Sequence, residues 1–264
     1  MLWYEWFLIV GTITAWSVAL MHYVYFKEHH LIEYFRPRYK IDVFKYMFKP
    51  VPQGYFTSRQ PYFNVFAWLG AFQCGIGFLW LYICVPEMRL VANAYLWMVG
   101  VVATVCLVNY YFSWYGKIPM DILGVMTFGW CCWEDQILFG MLLALPFLLL
   151  SFLSVETFLQ IKNMPIASFI VTVIMVPMVE EGFFRGVLAP SIAEFAGIFH
   201  GALATSILFA VFHAYVYHLD WFRIGVVFCF GFAASMVDFK FDSVLPSTIA
   251  HSIINFVAYL HYVF

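Results

Sequence analysis

Charge is what this chain carries least of. Its 264 residues include 15 Asp and Glu and 13 Lys and Arg, together 11%. A soluble domain holds about one quarter charged residues, because it must coat its surface. The deficit runs along the whole length, so no soluble domain of ordinary size fits. With a net charge of −2 there is no overall basic field, and nucleic acid is not expected as a partner. There is no CxxC pair, no long-period repeat, no low-complexity tract and no glycine-rich phosphate loop. The six cysteines, Cys74, Cys84, Cys106, Cys131, Cys132 and Cys229, lie mostly in apolar runs, where cysteine acts as a small hydrophobe. Neither a disulfide framework nor a cysteine metal site is expected.

What is present in abundance is apolar and aromatic surface, 64% and 22% of the residues. A helix needs about 20 apolar residues to cross the hydrocarbon layer. The pattern predicts an all-α, polytopic transmembrane bundle of about eight spans. They fall near Leu2–Phe26, Tyr62–Pro86, Leu90–Ser113, Ile137–Val155, Pro165–Ala189, Ile198–Tyr217, Phe222–Asp238 and Ser243–Phe264. The seventh is short, and Trp114–Gln136 has room for an interfacial segment. The first has no basic n-region and reads as a retained span, not a cleaved signal.

The segment 27–60 holds Lys27, Arg36, Arg38, Lys40, Lys45, Lys49 and Arg59, seven of the thirteen basic residues. The positive-inside rule makes this loop cytoplasmic and the N-terminus external. Lys117, Arg185 and Lys240 then fall on the inner side, and Arg89, Lys162 and Arg223 on the outer. The loop also mixes its cations with Tyr34, Phe35, Tyr39, Phe44, Tyr46 and Phe48, which suits contact with anionic membrane lipids. Gly70, Ala71, Gly75 and Gly77 would let the second span approach a neighbour closely.

An ionisable side chain inside a membrane helix costs roughly 2.5–3.5 kcal/mol on insertion scales, so each one needs a reason. The exceptions gather in the last third. Glu180 and Glu181 are adjacent in the run Ile174–Gly186. Glu181 and Arg185, about 40° apart around a helix, can pair on one face, while Glu180 points about 100° away without a partner of its own. Two carboxylates this close in low dielectric do not both ionise freely, which is how a general base is tuned. His213 sits among apolar and aromatic neighbours in the sixth span. His251 and Asn255 share a face of the eighth. Each feature alone fits an ion pair or a hydrogen bond between helices. Together they are groups that activate a water and stabilise an oxyanion. One distance is awkward: with these span limits, Glu180 and His213 differ in depth by roughly 9 Å.

At these residues the chain resembles the CPBP family of intramembrane proteases, which groups CAAX prenyl endopeptidases with bacteriocin-processing proteins. The family's EExxxR, FxxxH and HxxxN motifs stand here, in that order, as Glu180-Glu181-Gly-Phe-Phe-Arg185, Phe209-Ala-Val-Phe-His213 and His251-Ser-Ile-Ile-Asn255. The likeness covers roughly residues 137–264, a catalytic core following N-terminal helices and the basic loop in 1–136. It implies that Glu180 activates water held with His213, that Glu181 and Arg185 support them, and that His251 and Asn255 stabilise the oxyanion. The implied substrate is a membrane-associated or lipid-modified peptide. The family has been described both as metalloproteases and as glutamate-dependent proteases; a divalent metal such as zinc would find His213, His251 and Glu181 as ligands.

Other membrane proteases are disfavoured: no GxSG, GxGD or HExxH occurs, nor any HxxxH or HxxHH box of a di-iron enzyme. Two alternatives stay open. One is a non-catalytic protein of the same fold, acting as an immunity factor, scaffold or partner-binding protein. The other is a transporter using the carboxylates for proton coupling.

Overall fold

The computed structural model describes residues 43–52, 56, 61–115, 126, 133–151, 165–214 and 216–263, of which 61–69, 109–115, 133, 149–151, 165 and 261–263 are placed by backbone alone. Among them every regular element is helical: α1 (Pro61–Cys84), α2 (Arg89–Tyr115), α3 (Trp133–Ser151), α4 (residues 165–196), α5 (Ile198–Ala214), α6 (Trp221–Phe241) and α7 (Leu245–Val263). The predicted span Leu2–Phe26, most of Trp114–Gln136 and most of the basic loop lie outside the described residues. Among the described residues, three stretches are long and apolar enough to cross a membrane: Pro86–Val108, Ile166–Ala196 and Trp221–Phe241. The distribution of side chains is inverted relative to a water-soluble bundle. Trp97 (72% exposed) and Val211 (64%) face outward, whereas Glu180, Glu181, Arg185 and Asp238 are buried to 1% or less. Lipid is the solvent that accepts such a surface. The chain is an integral membrane protein.

The turn between α1 and α2 is short because Pro86 opens a single 3-10 turn, Pro86–Met88, and Arg89 folds its Nε back to donate to Tyr82 O at 3.2 Å. The two helices pack side by side, with Phe78, Leu81, Tyr95, Val99 and Val102 in the main core together with Val179, Phe184 and Phe209. A smaller cluster of Val51, Phe56, Met126, Ala193, Ile198, Phe239 and Val244 closes the end of the bundle where α4 meets α5.

α4 is longer than the sequence pattern predicts. It alternates between α geometry (Pro165–Phe169, Val176–Glu181, Ala189–Ala196) and two wider π segments, Ile170–Met175 and Gly182–Leu188. The prolines explain both the pattern and the length. Pro190 has no N–H for the carbonyl of Gly186 four residues back, a loss that would normally end the helix. Here Gly186 O accepts instead from Met126 N at 2.8 Å, and the π turn carries the chain past the proline. The helix therefore ends at Ala196 and not at Ala189. Glu180 then lies sixteen residues before the end of α4, and His213 fifteen residues after the start of α5. The 9 Å mismatch in depth disappears.

The elbow between α4 and α5 is Gly197, at φ +97, where a Cβ would sit 2.9 Å from the backbone of Lys49. Only glycine fits. The segment 43–52 lies across this elbow. Val51 N donates to Ala193 O (3.0 Å), while Ile198 N and Phe199 N, free donors at the start of α5, reach Tyr46 O and Met47 O at 3.0 and 2.9 Å. Part of the basic loop thus caps two helices.

α6 is a full 21 residues rather than the short Phe222–Asp238. Asp220 caps its start by accepting from Phe222 N and Arg223 N. Asp238 does not mark its end. It is buried inside the bundle and accepts from Ser247 N at 3.1 Å, capping α7, while the chain runs on to Lys240, whose ammonium lies 4.3 Å from the Phe139 ring.

α3 and α7 touch through Gly140, where an added Cβ would meet Pro246 O at 2.8 Å and Ile249 Cβ at 3.0 Å. Gly140→Ala is expected to destabilise the protein by about 1–3 kcal/mol through overpacking. Gly100→Ala, with nothing within 4 Å of the new Cβ, should leave the protein at least as stable. Unfolding midpoints of the two variants in the same detergent make the comparison.

Candidate active site

The central turn of α4, Val176–Glu181, is a short piece of α-helix held between the two π segments. Single π turns recur at functional sites because they shift a side chain around the axis without breaking the helix. Here they present Glu180 and Glu181 to different neighbours.

Glu181 faces α7 and its own Arg185. Its Oε1 lies 2.8 Å from His251 Nδ1, and Arg185 Nη1 lies 3.3 Å from Oε2 and 3.4 Å from Oε1. The guanidinium stacks over Phe209 at 4.0 Å, with Phe184 and Phe230 near 6 Å. The aromatic faces are the environment in which a desolvated guanidinium is least costly. α6 makes room for it with Gly231, where a Cβ would lie 2.8 Å from Arg185 Nη2.

Glu180 turns toward α2 and α5 and shares His251 with Glu181. Tyr95, from α2, donates its phenolic hydrogen to Glu180 Oε1. The other oxygen, Oε2, is fully buried with no hydrogen-bond donor from the described residues. Two imidazole nitrogens flank it, His213 Nε2 at 3.6 Å and His251 Nε2 at 3.8 Å.

The tautomers of both histidines follow from what their Nδ1 atoms meet. His213 Nδ1 lies 2.9 Å from the Phe209 carbonyl, which can only accept, so this nitrogen carries a hydrogen. His251 Nδ1 meets the Glu181 carboxylate, so it also donates. Each ring therefore directs Nε2 at Glu180. Phe209 keeps the two rings apart. Its centroid lies 4.4 Å from His213 and 6.0 Å from His251, as well as over Arg185. The phenylalanine of the FxxxH motif is thus a spacer touching three of the polar residues.

Asn255 is committed in part. Its Nδ2 donates to Thr172 O at 2.8 Å. That carbonyl is left over by the first π segment, because Val176 N bonds Val171 O and Pro177 has no N–H to offer. One amide hydrogen of Asn255 remains for other work.

Five of the six residues singled out from sequence, Glu180, Glu181, Arg185, His213 and His251, therefore meet around the middle of α4, while Asn255, one turn beyond His251 on α7, reaches the first π segment at Thr172. The metal set expected from sequence, His213, His251 and Glu181, does not converge. Glu181 stands behind His251, bonded to its Nδ1, and it is Glu180 that faces both Nε2 atoms. Among the described residues no group of three or more His, Cys, Asp or Glu is placed to hold a metal ion.

Sequence reasoning missed three residues: Tyr95, Asp238 and Tyr217, the last stacked on His213 with centroids 6.0 Å apart. The chain has 17 tyrosines, and nothing in their spacing singles out the two at the site. Asp238 carries a signal, a carboxylate at the limit of the span Phe222–Asp238, but that position reads from sequence as a helix end.

Comparison with known proteins returns one likeness. Residues 162–257 match the family model described as Rce1-like: Type II CAAX prenyl endopeptidase Rce1-like. No curated protein and no solved structure matches. The matched segment spans α4, α5, α6 and most of α7, and so holds all three motifs; α1–α3, with Tyr95, lie outside it. The family that the three motifs resemble and the family of the matching model agree: residues 162–257, which hold the buried acids, both histidines and the asparagine, are similar to the Rce1-like type II CAAX prenyl endopeptidases over about a third of the chain.

Proposed function

We propose that the protein is an intramembrane endopeptidase that hydrolyses a peptide bond of a membrane-associated, lipid-modified substrate, with Glu180 as the base that activates water. The observation that carries this reading is the pairing of a buried, undonated carboxylate oxygen with two imidazole nitrogens less than 4 Å away. Buried acceptors are as a rule satisfied, by protein or by water. A water about 2.8 Å from both Glu180 Oε2 and the Nε2 of His213 or His251 would sit to one side of the line joining them, giving one hydrogen to the carboxylate and one to an imidazole.

In the reaction Glu180 Oε2 takes a proton from this water as its oxygen attacks the scissile carbonyl carbon. The carbonyl π electrons pass to oxygen, and the oxyanion is stabilised by the free amide hydrogen of Asn255 and by His251 in the form whose Nε2 has taken a proton from bulk water before the attack. The Glu181 carboxylate behind Nδ1 fixes the ring's orientation. Collapse of the tetrahedral intermediate breaks the C–N bond. The proton held by Glu180 goes to the leaving amine, which restores the base, and the new carboxylic acid gives its remaining hydrogen, the second of the water's two, to bulk water to become a carboxylate. Arg185 stabilises the charge of Glu181 and takes no part in proton transfer.

For the substrate we favour a prenylated CAAX tail, in keeping with the Rce1-like segment. Bacteriocin precursors, peptide pheromones and membrane-anchored regulators are the other classes to include in an assay. A non-catalytic scaffold of the same fold would have no use for two imidazoles aimed at one buried carboxylate. A proton-coupled transporter would need a longer file of polar groups than this single cluster.

Purified protein in liposomes, given a peptide library that includes prenylated CAAX peptides, should cleave one class. Glu180→Gln, which keeps the shape but cannot take a proton, and His213→Ala should each lower kcat/KM by about 10²–10⁴-fold. Activity surviving in both would remove the assigned mechanism. Asn255→Ala should lower kcat by roughly 10²-fold. Because the histidines and Glu180 suffice for the chemistry described, a zinc chelator such as phenanthroline is expected to leave the rate unchanged. Loss of activity, restored by added zinc, would assign the water's activation to a metal instead.

A further inference from the structure

The Rce1-like match ends well short of α2, yet α2 supplies the hydrogen bond that sets the direction of Glu180. We infer that Tyr95 is a positioning residue for the general base: its hydroxyl pins Glu180 Oε1 so that Oε2 is held between the two histidines. The inference rests on the peptidase reading and extends it to a part of the chain that the motifs do not reach.

A glutamate carboxylate turns easily about its last torsion. If both oxygens were free, the group would rotate and present either one, at varying angles, to an attacking water. Tyr95 removes that freedom. Its ring is itself fixed, stacked on Phe78 with centroids 4.6 Å apart and planes 6° apart, and set edge-on to Phe212 at 6.0 Å and 89°. Phe212 is the neighbour of His213 in sequence, and the two rings lie 5.5 Å apart. The aromatic contacts that orient the phenol therefore run directly to one of the imidazoles that Glu180 works with. Across from Tyr95, nothing on α4 offers Oε1 a donor. Glu181 and Arg185 are engaged with one another and with His251. The hydroxyl donates to a buried carboxylate, the kind of hydrogen bond that contributes most in a low-dielectric site. The chemical consequence is a division of labour between the two oxygens of one carboxylate: Oε1 is anchored and Oε2 takes the proton.

Tyr95→Phe removes the hydroxyl and keeps both ring contacts, so the test is made on the full chain in liposomes with this variant. Against the best-cleaved peptide, kcat should fall roughly 10- to 100-fold while KM stays within about twofold, with an unfolding midpoint moved by no more than a few degrees. A second readout does not depend on cleavage. The infrared difference between wild type and Glu180→Gln isolates the Glu180 carboxyl band, and that band should shift in Tyr95→Phe. An unmoved band, an unchanged kcat, or a kcat loss matched by a collapse of the unfolding midpoint would overturn the inference. A wild type that cleaves no peptide while the band still shifts would overturn the peptidase reading and uphold the Tyr95–Glu180 pairing.

Discussion

The buried pair of Glu181 and Arg185 is the constraint around which the bundle is built. Both side chains are wholly removed from solvent, and desolvating two ions costs several kcal/mol each unless their surroundings compensate. Compensation comes from four helices at once. α4 holds the two ions one turn apart, α5 lays Phe209 beneath the guanidinium, α6 gives way at Gly231, and α7 brings His251 to the carboxylate. Take away any one of these contacts and a charge is left stranded in an apolar interior. The same contacts hold His251 and Phe209, and Phe209 in turn packs on His213, so the surroundings of Glu180 are placed in part by the neighbouring ion pair.

The second constraint is the backbone of α4. In a membrane every carbonyl must be satisfied internally, and three prolines in this helix, Pro165, Pro177 and Pro190, can each remove a donor. The two π segments and two borrowed partners resolve the interior cases: Asn255 donates to Thr172 O, and Met126 N to Gly186 O. Asn255 thus serves the backbone with one amide hydrogen and keeps the other uncommitted, one turn beyond His251 on α7. A residue that ties α7 to α4 is in this way kept within reach of the substrate carbonyl in the proposed mechanism.

Asp238 belongs to the same logic. Its carboxylate caps the first turn of α7 through Ser247 N, which fixes the start of the helix that bears His251 and Asn255. A charge that looked like the end of one helix sets the beginning of the next. The segment 43–52 does comparable work at the other junction, giving two carbonyls to the first turn of α5 and so seating the helix that carries His213.

How much of this could be read from the residues alone depended on range. The membrane class, the all-helical build and the six polar residues of the proposed site could be picked out, because apolar runs of spanning length and polar groups within them are local features of the chain. The pairing of Glu181 with Arg185 was legible for the same reason: four residues on one helix are one turn apart whatever surrounds them. The length of α4 was not, since propensity says that Pro190 ends a helix, and only Met126, sixty residues earlier, relieves it. Nor was Tyr95, one of many tyrosines in an aromatic-rich chain, whose partner lies 85 positions away. Which of two adjacent glutamates faces the histidines was likewise decided by tertiary structure. It rests on how two π turns rotate α4 and on which neighbour reaches each carboxylate first, and neither is written in the spacing of the motif.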